Sequence, residues 1–262
     1  MRRLGGSLVS QAGSCLSKAQ ALLEQPRGVT ALYTGRHMAV TLQSLQKRLR
    51  SQDTAVIFDC DGTLVDSEWL CNVVLADSFR ELGIIETAAN LVSRYRGARM
   101  ANILADVSRR HAVNIPPEFE ANYRTRVASA FESDLKAIPG IEELVRALAA
   151  RIPVAVASSA PRSKIELALR VTGLLDVFGT NLFSSYDIGS WKPAPDIYLH
   201  AAKTLGIPPA RCLVIEDSLP GAQAATEAGM SCVLFDPQRL QGGEESSGVF
   251  LIHEISELTS LL

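Results

Sequence analysis

The chain has 262 residues, 47% hydrophobic and 21% charged, with a formal net charge of −2. That is enough chain to bury a full core as one large domain or two smaller ones. The near-neutral balance leaves no electrostatic footprint for nucleic acid, and no apolar run approaches the roughly 18 residues of a membrane-spanning helix. Neither nucleic acid nor membrane is therefore expected as a partner. Five cysteines with no CxxC pair argue against a disulfide framework or a zinc cluster and fit reduced thiols in a cytosol-like compartment.

Charge is unevenly spread. Residues 1–52 hold eight basic side chains and one acidic, Glu24, for a net +7, so the remainder carries −9. Rich in Arg, Ser, Gln, Gly and Ala, this segment reads as a basic extension on an acidic body: a leader from a misplaced start, with Met38 as the true initiator, an organelle transit peptide, or a functional basic arm. A cytoplasmic location is expected in the first case and an organelle in the second.

From Thr54 the pattern becomes regular. Ala55-Val56-Ile57-Phe58 is a short apolar run ending at Asp59 and Asp61. The stretch from about Trp69 to Ala137 then reads as helical, with segments at Asn72–Leu82, Arg99–His111 and Glu118–Phe131. After Pro139-Gly140 come a helix at Ile141–Leu148 and a second apolar run, Val154–Ala157, ending at Ser158-Ser159. A helix around Lys164–Leu169 follows, then the weaker run Leu182-Phe183 and a helix at Ile197–Leu205. Cys212–Ile215 ends at Glu216-Asp217, a helix spans Ala222–Ala228, and Ser231–Phe235 ends at Asp236.

Continuous apolar runs signal strands covered on both faces, hence a parallel sheet. Alternation with helices gives an α/β fold, a doubly wound, Rossmann-like parallel sheet. The stretch between the first and second runs is far longer than a crossover needs and is expected to be an inserted helical cap. The expected domains are a basic extension at 1–52, an α/β core at 53–68 and 138–262, and a cap at 69–137.

Polar residues gather at the strands' C-terminal ends, where open α/β sheets bind ligands. In Asp59-Cys60-Asp61-Gly62-Thr63, Gly62 permits a turn that aims two carboxylates into one crevice, a pairing suited to a nucleophile and an acid/base. Glu216-Asp217 reads equally as helix caps or as oxygen ligands for a hard cation such as Mg²⁺. Lys192, between Trp191 and Pro193, is presented from a stiff loop. Ser158 and Ser159 offer a hydroxyl and N–H groups as a cap or an anion site. Together these suit phosphoryl transfer, in which a divalent cation and a lysine offset clustered carboxylates.

The order DxDGT, strand then Ser, Lys-Pro, then Glu-Asp resembles the haloacid dehalogenase-like hydrolase superfamily. The likeness is to the branch with a cap after the first strand that includes sugar-phosphate phosphatases and β-phosphoglucomutase. Phe58–Glu68, Tyr186-Asp187-Ile188 and Trp191-Lys192-Pro193 are most similar to members of the 6-phosphogluconate phosphatase type.

The resemblance implies that Asp59 attacks phosphorus and becomes an aspartyl phosphate, and that Asp61 protonates the leaving oxygen and then activates water. It also implies that Ser158, Ser159 and Lys192 bind the phosphoryl group. Mg²⁺ would be held by the Asp59 carboxylate, the Asp61 carbonyl and Asp217, with Glu216 beside it. Arg96 and Arg99 in the cap would meet an anionic sugar acid, and Trp69 and Tyr123 would stack on a sugar or pack the cap. The expected partner is a small phosphorylated metabolite, acted on by a monomer or weak homo-oligomer. A hexose-phosphate mutase is the rival, although Cys71 stands where such mutases carry a histidine. A catalytically idle binding or regulatory member is a third possibility.

Overall fold

The computed structural model describes residues 42–239 and 248–262. The expectations of a transit peptide or of a start at Met38 lie outside the described residues. Six strands form one sheet: β1 (Ala55–Phe58), β2 (Val154–Ser158), β3 (Leu182–Ser184), β4 (Cys212–Glu216), β5 (Ser231–Phe235) and β6 (Val249–Ile252). Their order is β3-β2-β1-β4-β5-β6, and every neighbouring pair is parallel. β1 lies centrally, with Ile57 opposite Ala155 on one side and Val214 on the other.

Alternation along each strand divides the core. Val56, Phe58, Val154, Val156, Leu213 and Ile215 face one hydrophobic cluster, while Ala55, Ile57, Ala155, Ala157, Cys212 and Val214 face the other. Both faces are covered, so the strands read as unbroken apolar runs rather than alternating ones.

Twelve α-helices and one short 3-10 helix (Pro209–Arg211) occur among the described residues. The first, α1 (Leu42–Arg50), falls inside the segment that the sequence marks as an extension. Leu45 and Leu49 are nevertheless fully buried in the core. Spaced four apart they share one helix face, and burying each contributes about 1.5–3 kcal/mol. Arg48 and Arg50 fasten the same helix to the carbonyls of Ala210 and Leu261.

Between β1 and β2 lie α2 (Glu68–Arg80), α3 (Ala88–Tyr95), α4 (Met100–His111) and α5 (Phe119–Asp134). α2 packs on α3 and α5, with Phe79 stacked on Phe119 at 5.1 Å between ring centres. The remaining helices are α6 (Ile141–Ala149), α7 (Arg162–Val171), α8 (Leu175–Phe178), α9 (Ser185–Ile188), α10 (Asp196–Leu205), α11 (Leu219–Glu227) and α12 (Ser256–Thr259). β6, α1, α8 and α9 are additions to the elements read from sequence, and α3 lies inside the stretch read as helical without a segment of its own. None of the helices among the described residues is long and apolar enough to cross a membrane.

Candidate active site

The C-terminal ends of β1, β2 and β4 border a cavity of about 570 Å³, roofed by residues of α2, α4 and α5. Asp59 continues the line of β1: its N–H donates to the Ile215 carbonyl at 2.8 Å, which fixes the backbone while the side chain enters the cavity. From the loop before α10, the Lys192 ammonium donates to Asp59 Oδ1 at 2.5 Å and to Glu216 Oε1 at 2.8 Å. The lysine is 5% exposed and lies 5.0 Å from the centre of the Tyr198 ring. Glu216 Oε2 accepts from the Ser218 N–H at 2.7 Å, so both of its oxygens have donors.

The sequence left Glu216-Asp217 open between helix caps and metal ligands. The cap of α11 is Ser218, whose Oγ accepts from the Gly221 N–H at 3.2 Å. Asp217 instead joins Asp59 and Glu216 in a buried group whose carboxylate oxygens lie within 4.8 Å of one another, a cluster that could hold a metal ion. Glycine at 62 makes this approach possible. Its φ is +84°, and a Cβ there would lie 2.3 Å from Asp217 Oδ2.

Crowded carboxylates out of water resist ionisation. Burial pushes Asp59 up to about 7 against the pull of Lys192, with Glu216 adding to the rise. Burial, then Glu216 and Asp59, drive Asp217 well above the carboxylate range, with Arg96 opposing.

Asp61 has a different environment. Its Oδ1 accepts from Ser67 Oγ at 2.5 Å and from Lys164 Nζ at 2.8 Å. Burial alone would raise this carboxyl, but Lys164 and Ser67 more than offset it and hold the group below its ordinary value. Ser67 precedes α2 yet makes no capping bond there, having turned its hydroxyl to Asp61. Neither Ser67 nor Lys164 stands out in the sequence: one reads as a helix cap, the other as a lysine on an amphipathic helix.

Ser158 and Ser159 both border the cavity. The Ser158 hydroxyl accepts from the Ala160 N–H at 3.1 Å, and α7 begins only at Arg162, so the serines form a bend between strand and helix.

The arginines divide. Arg96 reaches Glu68 and Asp217, both at 3.3 Å. Arg99 lays its guanidinium over the Trp191 ring, 3.6 Å from its centre, next to Lys192. Trp191 meets Tyr186 edge-to-face at 5.5 Å, and Arg124 of α5 donates to the Tyr186 hydroxyl at 2.8 Å. Two cation–aromatic contacts, Arg99 on Trp191 and Arg124 on Tyr186 at 5.1 Å, thus join residues between β1 and β2 to α9 and the loop that carries Lys192. Arg124 escaped the sequence reading because Glu120 four residues earlier gives it an ordinary surface partner. Tyr123 borders the cavity, whereas Trp69 is 57% exposed and outside it, serving neither the sugar site nor the packing expected of it.

Residues 54–229 match the haloacid dehalogenase-like hydrolases. The chain belongs to that family. It is 39% identical over 186 residues to the 6-phosphogluconate phosphatase of Escherichia coli, covering 71% of this chain and 83% of that protein. Among solved structures, a HAD family hydrolase from Deinococcus radiodurans, with bound phosphate and sodium, superposes with a TM-score of 0.60. It shares 33% identity over 76% of this chain and 91% of its own. CbbY from Rhodobacter sphaeroides, in complex with phosphate, gives a TM-score of 0.65 and 26% identity over 79% and 99%. As a haloacid dehalogenase-like phosphatase, the protein is a phosphoric monoester hydrolase with the α/β fold of its family.

Proposed function

We propose that this enzyme hydrolyses a small phosphorylated sugar or sugar acid, such as 6-phosphogluconate, with Mg²⁺ bound and through an aspartyl-phosphate intermediate. The observation that carries the reading is the convergence of Asp59, Asp61, Lys192 and Asp217 on one cavity. The 39% identity to a 6-phosphogluconate phosphatase supports the substrate class.

In the first step an Asp59 oxygen attacks phosphorus while the bond from phosphorus to the sugar oxygen breaks. The negative charge of the bound phosphoryl group favours the protonated form of Asp61, which gives that proton to the leaving oxygen. In the second step water attacks phosphorus, its proton passes to the Asp61 carboxylate, and the bond from phosphorus to Asp59 breaks to release phosphate. The protonated Asp61 is then ready for another cycle. Lys192 and the Ser158-Ser159 bend would hold the phosphoryl oxygens, and the lysine's bond to Asp59 keeps nucleophile and phosphate together. Catalysis of this kind rests on positioning and charge compensation.

The acidic cluster fits a divalent cation. Three buried carboxylates share a small volume, and two of them are raised above their ordinary ionisation range, first by burial and then by neighbouring carboxylate charge. Asp59, Asp217 and the Asp61 carbonyl would hold the ion, with Glu216 beside them. When bound it would supply neutralisation of the phosphoryl group's negative charge.

In the roof, Arg99 is the cation best presented to an anionic sugar, since Arg96 is engaged by Glu68 and Asp217 and Arg124 by Glu120. The test is a panel of phosphorylated sugars and sugar acids assayed for phosphate release with Mg²⁺, using wild type and Asp61→Asn. Release by the wild type and its loss in the variant are expected. Isomerised sugar phosphate in place of free phosphate would instead identify a mutase, and no turnover of any ester an idle member.

A further inference from the structure

Lys164 has no assigned task, yet its side chain bridges the two halves of the active site. It lies in the first turn of α7, its ammonium 2.8 Å from Asp61 Oδ1 and 5.5 Å from the centre of the Phe131 ring, which is fully buried on α5. The Cys71 and Tyr123 side chains are its other polar neighbours, and the Tyr123 hydroxyl is directed to the Cys71 carbonyl at 3.4 Å. Ser67 Oγ reaches the same Asp61 oxygen from the start of α2, at 2.5 Å. Two donors therefore converge on Oδ1. An oxygen accepting two hydrogen bonds is poorly placed to carry a proton itself, so Oδ2 is the oxygen left for the substrate.

We infer that Lys164 is a positioning residue for proton transfer. With Ser67 it holds Asp61 Oδ1, so that Oδ2 carries the proton to the leaving oxygen of the phosphate ester. The inference rests on reading Asp61 as the proton donor. It follows that the lysine matters in proportion to how badly the leaving group needs a proton. A phenolate stabilised by a nitro group departs almost unaided, whereas a plain phenolate or an alkoxide does not. A lysine that merely held the fold together, or that bound the phosphoryl group, would affect every ester alike.

The experiment measures kcat/KM with Mg²⁺ for substituted phenyl phosphates, from 4-nitrophenyl to unsubstituted phenyl, in wild type, Lys164→Met, Lys164→Arg and Asp61→Asn. General acid catalysis contributes about 10²–10⁴-fold. A misdirected acid in Lys164→Met is therefore expected to lose about 10–100-fold on phenyl phosphate and less than about threefold on the 4-nitrophenyl ester. The dependence of rate on leaving-group basicity steepens accordingly. Lys164→Arg keeps a cationic donor and is expected to restore most of the phenyl phosphate rate, which also covers the case of a poorly folded Lys164→Met. Equal losses on all esters, no loss on any, or an arginine variant as selective as the methionine one overturns the role of Lys164. If Asp61→Asn instead matches wild type on phenyl phosphate, the proton-donor reading itself fails, and that result is distinguishable from the others.

Discussion

Replacing Gly221 by alanine sets a local rule against a tertiary one. Gly221 lies in the first turn of α11 at an ordinary helical φ, where alanine is favoured by up to about 1 kcal/mol. A Cβ there, however, would sit 1.7 Å from Glu216 Oε1 and 2.1 Å from its carboxyl carbon. The atom it strikes is the tip of a side chain, which at a surface would swing aside. Glu216 is 1% exposed, and its oxygens accept from the Ser218 N–H and the Lys192 ammonium, so moving it breaks a buried ion pair.

Disrupting such a pair costs about 3–5 kcal/mol. Less the helix gain, Gly221→Ala is expected to destabilise the protein by about 2–4 kcal/mol and lower Tm by on the order of 10 °C. Because Lys192 loses one of its two carboxylate partners, kcat should fall at least about tenfold, equivalent to about 1.4 kcal/mol of transition-state stabilisation. Thermal unfolding and phosphate release measure both effects. In a Glu216→Ala background the methyl has no carboxylate to displace, so the penalty should vanish as a coupling energy. A Gly221→Ala protein as stable and active as wild type would refute the reasoning.

Divalent cation binding should be visible without turnover. At Mg²⁺ tenfold above its Kd, wild type should gain about 1.4 kcal/mol, a Tm rise of about 3–6 °C, which Asp217→Asn abolishes in a thermal-shift titration. The acid limb of stability should carry the signature of Asp106. Its carboxylate accepts from the Tyr95 hydroxyl at 2.6 Å and Arg110 Nε at 3.0 Å, and it is held at about 2 by Tyr95 first and then by Arg110 and Arg109. A folded-state value below the unfolded one means stabilisation that is complete above about pH 4 and lost as pH falls through about 2. Asp106→Asn should flatten Tm against pH across that window, and an unchanged slope would remove this role.

Much of the architecture can be read directly from the chain. A strand buried on both faces must be apolar at every position, so β1, β2, β4 and β5 announce themselves, and the first three end in polar residues that line the site. Gly206 and Gly229 close their helices with positive φ, as expected of glycine after a helix. β6 escapes the reading although Val249–Ile252 is as apolar as β1. α3 merges with its neighbours because its only buried residue is Leu91. Trp69 shows the converse failure: an aromatic side chain beside a catalytic motif invites a role that its helix face denies it.

Residue type and order along the chain specified the alternating α/β architecture, the phosphatase chemistry and the acids that meet at the sheet edge, because burial and turn geometry act over a few residues. Which oxygen of Asp61 is tied down, which arginine is engaged by Asp217, and which aromatic rings hold Arg99 and Arg124 were decided only by the folded chain. Lys164 is 103 residues from Asp61, Arg96 is 121 from Asp217, and Lys192 is 133 from Asp59. Contacts across such separations depend on how helices pack over the sheet, and local periodicity carries no record of them.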